Sequence, residues 1–369
     1  MGGYVAAVFV CARCDAALTA PVSRVALPVH AHHCYGHDLL PPLMAPRTYA
    51  VDPEPYGPPW RPWNEIEAAE AEARGVYAPV HRLSFGEPGT IVIAPGDVRG
   101  TTLIPERCDG YCHGLDGRDG PNLDCEQCGQ AVATLVDDCS VWQAVWLAPQ
   151  AVRRVPADSS DGLTEPPTWS TLAEGRQDTP PVEQCGAWNP VWPPSVGAAL
   201  AHLVAASEGG PVAVPDGLMT DIFGYALDAL LPPERPGSPA KRAILAGPGL
   251  PPALSDPEIV LVPRHPITDQ VWQPPQGGAY AGAAVVPLAA GVWTYLAFHR
   301  AHSPVPVPVT GGLPDGVLRD DPLPLHPWGP FRPTSSAFLA TLARLPAVRR
   351  PWLRAIYDRV TAHPYDRPF

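Results

Sequence analysis

The chain has 369 residues, 46% of them hydrophobic, which is enough for two domains that each bury a core. Its formal net charge of −12 comes from 37 acidic and 25 basic residues, and the densest basic points are only pairs, Arg153-Arg154 and Arg349-Arg350, so a polyanion-binding surface is disfavoured. No stretch approaches the roughly 18 consecutive apolar residues of a membrane span, and 52 prolines, against a usual share of roughly 5%, predict short helices and plentiful coil.

Taken in chain order, Tyr4 to Val10 predicts a first strand leading into the tight knuckle Cys11-Ala-Arg-Cys14. The opening residues have neither a positive n-region nor a small-residue cleavage site, so they do not read as a signal peptide. Leu18 to His33 predicts two short strands broken at Pro21 and Pro28. Asn64 followed by Glu65-Ile-Glu67 predicts a capped helix ending at Gly75. Thr90 to Pro95 and Thr101 to Ile104 read as strands joined through a hairpin-type Pro-Gly-Asp turn. Ala131 to Val136 and Val141 to Leu147 are again β-rich. From Pro156 to Pro190 the composition turns to Ser, Asp, Thr, Pro and Gly, the mark of a linker. Helices are expected over 195–206, 220–231, 289–302, 335–345 and 352–363, with buried strands at 259–262 and 283–287. The fold class expected is α+β: a β-rich zinc-binding domain over 1–155, a linker or long loop over 156–190, and a mixed α/β domain over 191–369, all loop- and proline-rich.

The chemistry concentrates in cysteine. The chain has nine, and without an export signal they belong in a reducing compartment, where closely spaced Cys hold metal more often than they form disulfides. A cytoplasmic location is expected. One set is Cys108-x3-Cys112, twelve residues, then Cys125-x2-Cys128-Gly129. Two such pairs supply four sulfurs, and the glycine permits the left-handed turn that a knuckle needs. His113 or Cys139 can replace one of these ligands. The other set opens with Cys11 and Cys14 and closes with a choice among His30, His32, His33, Cys34 and His37, of which Cys34-x2-His37 makes a knuckle of matching length. Zinc is the metal expected at both, two ions in all, although four thiolates also suit iron.

Rival readings fare worse. Asp116, Asp119 and Asp124 do not reproduce a calcium loop, and Cys125-Glu-Gln-Cys128 does not sit at a helix N-terminus as redox C-x2-C pairs do. Signatures of zinc proteases, serine hydrolases, P-loop enzymes, dinucleotide-binding folds and zinc deaminases are missing from the sequence. In the second half, His265 and Asp269 follow a strand, and His299 and His302 end a helix; these four are the candidates for catalytic work.

The segments RCDGYCHGLDGRDGPNLDCEQCG and CSVWQAVWLAP resemble a group of actinobacterial proteins to which no activity is attached, over about the first 155 residues. The chain also resembles zinc ribbons generally, which implies Cys108, Cys112, Cys125 and Cys128 as one ligand set and Cys11, Cys14, Cys34 and His37 as another. The C-x3-C spacing departs from the ribbon pattern at Cys112. The function expected is a scaffold or binding component with structural zincs and a protein partner. The alternative is a hydrolase or transferase acting on a small molecule through a cleft in the C-terminal half. Nucleic acid and membrane partners are not expected.

Overall fold

The computed structural model describes residues 6–33, 39–157, 168–175, 178–183, 187–275, 277–299, 329–362 and 369. The chain forms two compact units, one comprising Met1–Pro167 with His265–Gln270 and the other Thr168–Arg264 with Val271–Phe369. Strands and helices are both present, as an α+β chain requires.

The first unit carries β1 (Ala7–Cys11), β2 (Ser23–Arg24), β3 (Thr48–Val51), β4 (Trp60–Pro62), α1 (Ala68–Ala73), β5 (Arg82–Ser84), β6 (Ile91–Ile93), β7 (Thr101–Leu103), β8 (Leu123–Cys125), β9 (Ala131–Val136), β10 (Ala144–Leu147) and β11 (Val152–Pro156). Seven of these make one sheet in the order β2-β3-β6-β10-β9-β8-β7, antiparallel except for β2 with β3. β1 pairs antiparallel with β11, from Ala7 opposite Pro156 to Cys11 opposite Val152. The strands are short because proline and glycine punctuate them. Their apolar residues nevertheless converge: Phe9, Leu18, Tyr49, Ile93, Leu147 and Val132 lie in one buried cluster that also contains Cys11 and Cys125. Phe9 meets Tyr49 edge-to-face at 5.0 Å.

Three local expectations fail here for identifiable reasons. Residues 90–95 and 101–104 do supply β6 and β7, yet the two are not a hairpin, since β10, β9 and β8 lie between them. Pro95–Asp97 is a 3-10 turn, and the buried Asp97 carboxylate accepts the Arg47 amide at 2.6 Å, so the turn is tied to a different segment. Asn64 caps nothing: Trp63–Glu65 is an isolated 3-10 turn, Ile66 is extended and buried, and α1 starts only after Glu67. Within 18–33 only Ser23–Arg24 is a strand; the remainder makes isolated bridges such as Ala7 with Val22 and Thr19 with Val98.

The second unit begins with α2 (Trp169–Gly175), inside the stretch expected to be a linker. It continues with α3 (Trp192–Ser207), β12 (Val212–Ala213), α4 (Tyr225–Leu230) preceded by a wide π turn at Thr220–Gly224, β13 (Lys241–Leu245), β14 (Ile259–Arg264), β15 (Ala284–Ala289), α5 (Ala290–Phe298), α6 (Ser335–Ala343) and α7 (Pro351–Ala362). The four strands form a parallel sheet in sequence order. Parallel strands are covered on both faces and read as continuous apolar runs, and β14 fits, with Ile259 to Pro263 all buried. α3 is buried along most of its length because Gly197 lets α6 come close. A Cβ there would meet Thr334 O at 2.6 Å and Ala337 Cβ at 3.2 Å.

Candidate metal centre

Two hairpin turns of like geometry build the site. In the first, Cys11 N donates to Ala16 O (2.8 Å) and Asp15 N to Cys11 O (3.0 Å), with Asp15 at φ +61°. In the second, Cys125 N donates to Gln130 O (2.8 Å) and Gly129 N to Cys125 O (2.8 Å), with Gly129 at φ +70°. Each knuckle therefore turns through one left-handed residue directly after its second cysteine. Glycine adopts that conformation without cost, and Asp is among the few other residues that tolerate it. β1 delivers one knuckle and β8 the other.

The four sulfurs of Cys11, Cys14, Cys125 and Cys128 lie within 4.8 Å of one another. Cys11 Sγ is 3.6 Å from Cys128 Sγ, and Cys14 Sγ is 3.6 Å from Cys125 Sγ. A zinc–sulfur bond of about 2.3 Å in tetrahedral geometry requires a sulfur–sulfur edge of about 3.8 Å, so the group has the size of a single metal site. Cys11 and Cys125 are buried in the apolar cluster, while Cys14 and Cys128 pack on its rim.

Electrostatics favour a cation there. Burial opposes ionisation of Cys11, but the amides of Arg13 and Cys14 and the neighbouring thiols outweigh it, lowering its pKa to about 7. At Cys14 the Ala16 amide favours the thiolate, yet burial and the three other sulfurs prevail and push it up to about 12. Four such groups cannot all ionise side by side unless a positive charge joins them.

The structure thus joins the two C-x2-C pairs that the sequence reading assigned to separate sites. Cys108 and Cys112 lie elsewhere, in the loop between β7 and β8. Cys108 Sγ donates to Ile104 O at 3.2 Å, and Cys112 Sγ is 3.0 Å from Cys139 Sγ. Cys112, Cys139 and Asp138 form a second group of potential metal ligands. Cys34 and His37 lie outside the described residues. The repeated spacing of the two C-x2-C knuckles, each following a strand, was the available signal that they belong together. Asp138 was missed because its role depends on the β9–β10 turn, which places it opposite the loop.

The other histidines have separate settings. His32 Nε2 lies 2.9 Å from Oδ2 of the buried Asp52 without the alignment of a hydrogen bond, and its ring stacks on Trp146, which also stacks on Tyr56 at 3.9 Å. His30 is buried against Trp142, with ring centroids 4.4 Å apart. Burial, reinforced by His33, lowers its pKa from 6.5 to about 3. The unfolded chain therefore gains a proton that folded His30 refuses, so stability is expected to fall with pH between about 6 and 3, by on the order of 1.4 kcal/mol per unit. Urea unfolding at pH 7 and 4.5 measures the slope. His30→Phe should remove that share of the slope, and an unchanged slope in that variant would refute the assignment.

The proposed catalytic group has local structural roles where it is described. His265 is buried and its Nδ1 accepts the amides of Ile267 and Thr268 at 3.1 and 3.2 Å, while Asp269 turns the chain at φ +61° and returns its amide to His265 O. His299 caps α5 and stacks on Tyr295 at 4.2 Å. His302 lies outside the described residues. Among the described residues, the two cysteine groups are the clusters of three or more His, Cys, Asp or Glu able to hold a metal. No described helix is long and apolar enough to cross a membrane. No family model, curated protein or solved structure matches the chain.

Proposed function

We propose that the chain is a zinc-stapled scaffold that binds a protein partner in the cytoplasm, with one structural zinc held by Cys11, Cys14, Cys125 and Cys128. The observation that carries this reading is the convergence of four thiols from knuckles more than a hundred residues apart into one site. Four protein ligands leave no position for water or substrate, the arrangement of structural rather than catalytic zinc. The metal's work is to join β1 and its partner β11 to β8, the strand next to the β7 edge of the large sheet. One zinc replaces the two expected from sequence, because each C-x2-C pair supplies half of a single site. A protein partner is favoured over nucleic acid by the net charge of −12, and exposed Leu103 on edge strand β7 and exposed Tyr111 in the adjoining loop give it apolar contacts.

Metal analysis of the purified chain tests the reading. One zinc per chain is expected, retained in Cys108→Ser and lost in Cys11→Ser. A folded protein without metal, an iron in its place, or loss of the metal from Cys108→Ser would each overturn it.

A further inference from the structure

The loop between β7 and β8 and the turn between β9 and β10 bring together two cysteines that the zinc cluster does not use. We propose that Cys112 and Cys139 are a redox pair, a dithiol that a low-molecular-weight disulfide oxidises to an intrachain disulfide. Their sulfurs are 3.0 Å apart, with Cys139 donating to Cys112. This differs from the metal-type geometry of the four-cysteine cluster in an informative direction. In the four-cysteine cluster the pairs Cys11–Cys128 and Cys14–Cys125 each stand 3.6 Å apart, near the tetrahedral edge of about 3.8 Å that zinc imposes. Cys112 and Cys139 are closer than a shared zinc allows, and about 1 Å of approach separates them from the disulfide bond length of roughly 2.05 Å.

The backbone holds the pair in this position. Asp138 is buried, and its carboxylate accepts the His113 amide at 3.2 Å and the Cys139 amide at 2.6 Å. One side chain thus fixes the peptide next to Cys112 and that of Cys139 itself. Both carboxylate oxygens are engaged in this way, so Asp138 acts as an anchor without needing a cation. Cys112 at φ +49° and Ser140 at φ +67° are both in the left-handed region, which is sparsely populated by residues other than glycine and persists where surrounding structure enforces it.

Access is asymmetric. Cys112 is exposed and Cys139 is half-buried, so Cys112 meets the oxidant first. The Cys112 thiolate attacks one sulfur of the small disulfide, forming a mixed disulfide and expelling one thiolate. Cys139 then gives its proton to solvent and attacks Cys112 Sγ, expelling the second. The protein loses two electrons and two protons, and the small disulfide is reduced to two thiols. The new bond spans 27 residues of sequence and clips the Gly- and Asp-rich loop to the β9–β10 turn, raising the stability of the first unit. This inference is independent of the proposed zinc and of the scaffold reading.

Oxidised glutathione, applied to the metal-loaded full chain, is the probe. After alkylation of remaining thiols, intact mass and peptide mapping should show loss of two hydrogens, a Cys112–Cys139 cross-link, a melting temperature raised by several degrees, and full retention of the metal. Cys139→Ser should stop at a glutathione adduct on Cys112, and Cys112→Ser should leave Cys139 unmodified. The proposal is overturned if both thiols remain alkylatable in the wild-type chain. It is equally overturned if the chain binds a second metal ion that Cys112→Ser removes, or if oxidation joins cysteines of the zinc cluster while Cys112 stays reduced.

Discussion

Cys125→Ser is expected to unfold the first unit while the second retains a separate melting transition. Structural zinc sites in small folds contribute apparent free energies of about 10–16 kcal/mol, comparable to or larger than the ~5–15 kcal/mol that stabilises an ordinary domain. The first unit has little to set against that loss, because its strands are two to six residues long and its largest sheet has edge strands of two and three residues. Cys125 and Cys11 also line the apolar cluster itself, so loss of the ion leaves ionisable thiols inside the core and frees β1 from β8. Calorimetry with limited proteolysis reads the outcome: one transition should vanish and cleavage should concentrate within residues 6–157. A variant that melts like the wild type would sink the structural role.

The same site should respond to acid and to chelators in a defined direction. Without metal, Cys11 ionises at about 7 and Cys14 only at about 12, so a metal ion entering the site must displace protons that the cluster otherwise keeps. Binding therefore weakens as pH falls, and the first unit's transition should become more sensitive to a chelator below pH 7 than above it.

What was legible in the sequence was local chemistry, and what was not was partnership. Strand propensity marked β1, β6, β7, β9, β10, β14 and β15, and periodic apolar residues marked α3, α5, α6 and α7, β9 with both ends as expected and the others with one or both ends displaced by one to a few residues. The C-x2-C knuckles were equally plain. Which knuckle meets which is a long-range fact set by the pairing of β1 with β11 and by the order of strands in the large sheet, and proximity in sequence misled by coupling Cys108 and Cys112 to Cys125 and Cys128. The hairpin expected around Pro95–Asp97 failed for the same reason: a turn motif reports that the chain bends, not that the strands flanking it pair. β13 was overlooked because KRAIL opens with two charged residues, although its remaining residues join a parallel sheet.

In the second unit, the largest effect is expected at Trp293. Its indole is buried, its Nε1 donates to Leu261 O at 3.2 Å, and its ring meets Phe298 edge-to-face at 5.7 Å, so it fastens α5 to β14. Leu261 O also accepts the Ala246 amide at 3.0 Å, which places the end of β13 at the same point. Trp293→Ala is expected to cost about 3–5 kcal/mol through the cavity it opens. Gly247 sits against that ring so closely that a Cβ would lie 2.2 Å from Trp293 Cζ2 and 3.0 Å from Pro263 Cδ. Gly247→Ala should therefore destabilise on its own by roughly 1–3 kcal/mol through overpacking. The two effects share one space, and their combination is the sharper test. In Gly247→Ala with Trp293→Ala the added methyl occupies part of the vacated volume, so the double variant should lose less than the sum of the single losses. Urea denaturation of the three variants followed by circular dichroism measures the coupling. Strict additivity would mean that Gly247 and Trp293 do not pack against each other, and the account of how α5 is held to the parallel sheet would fail with it.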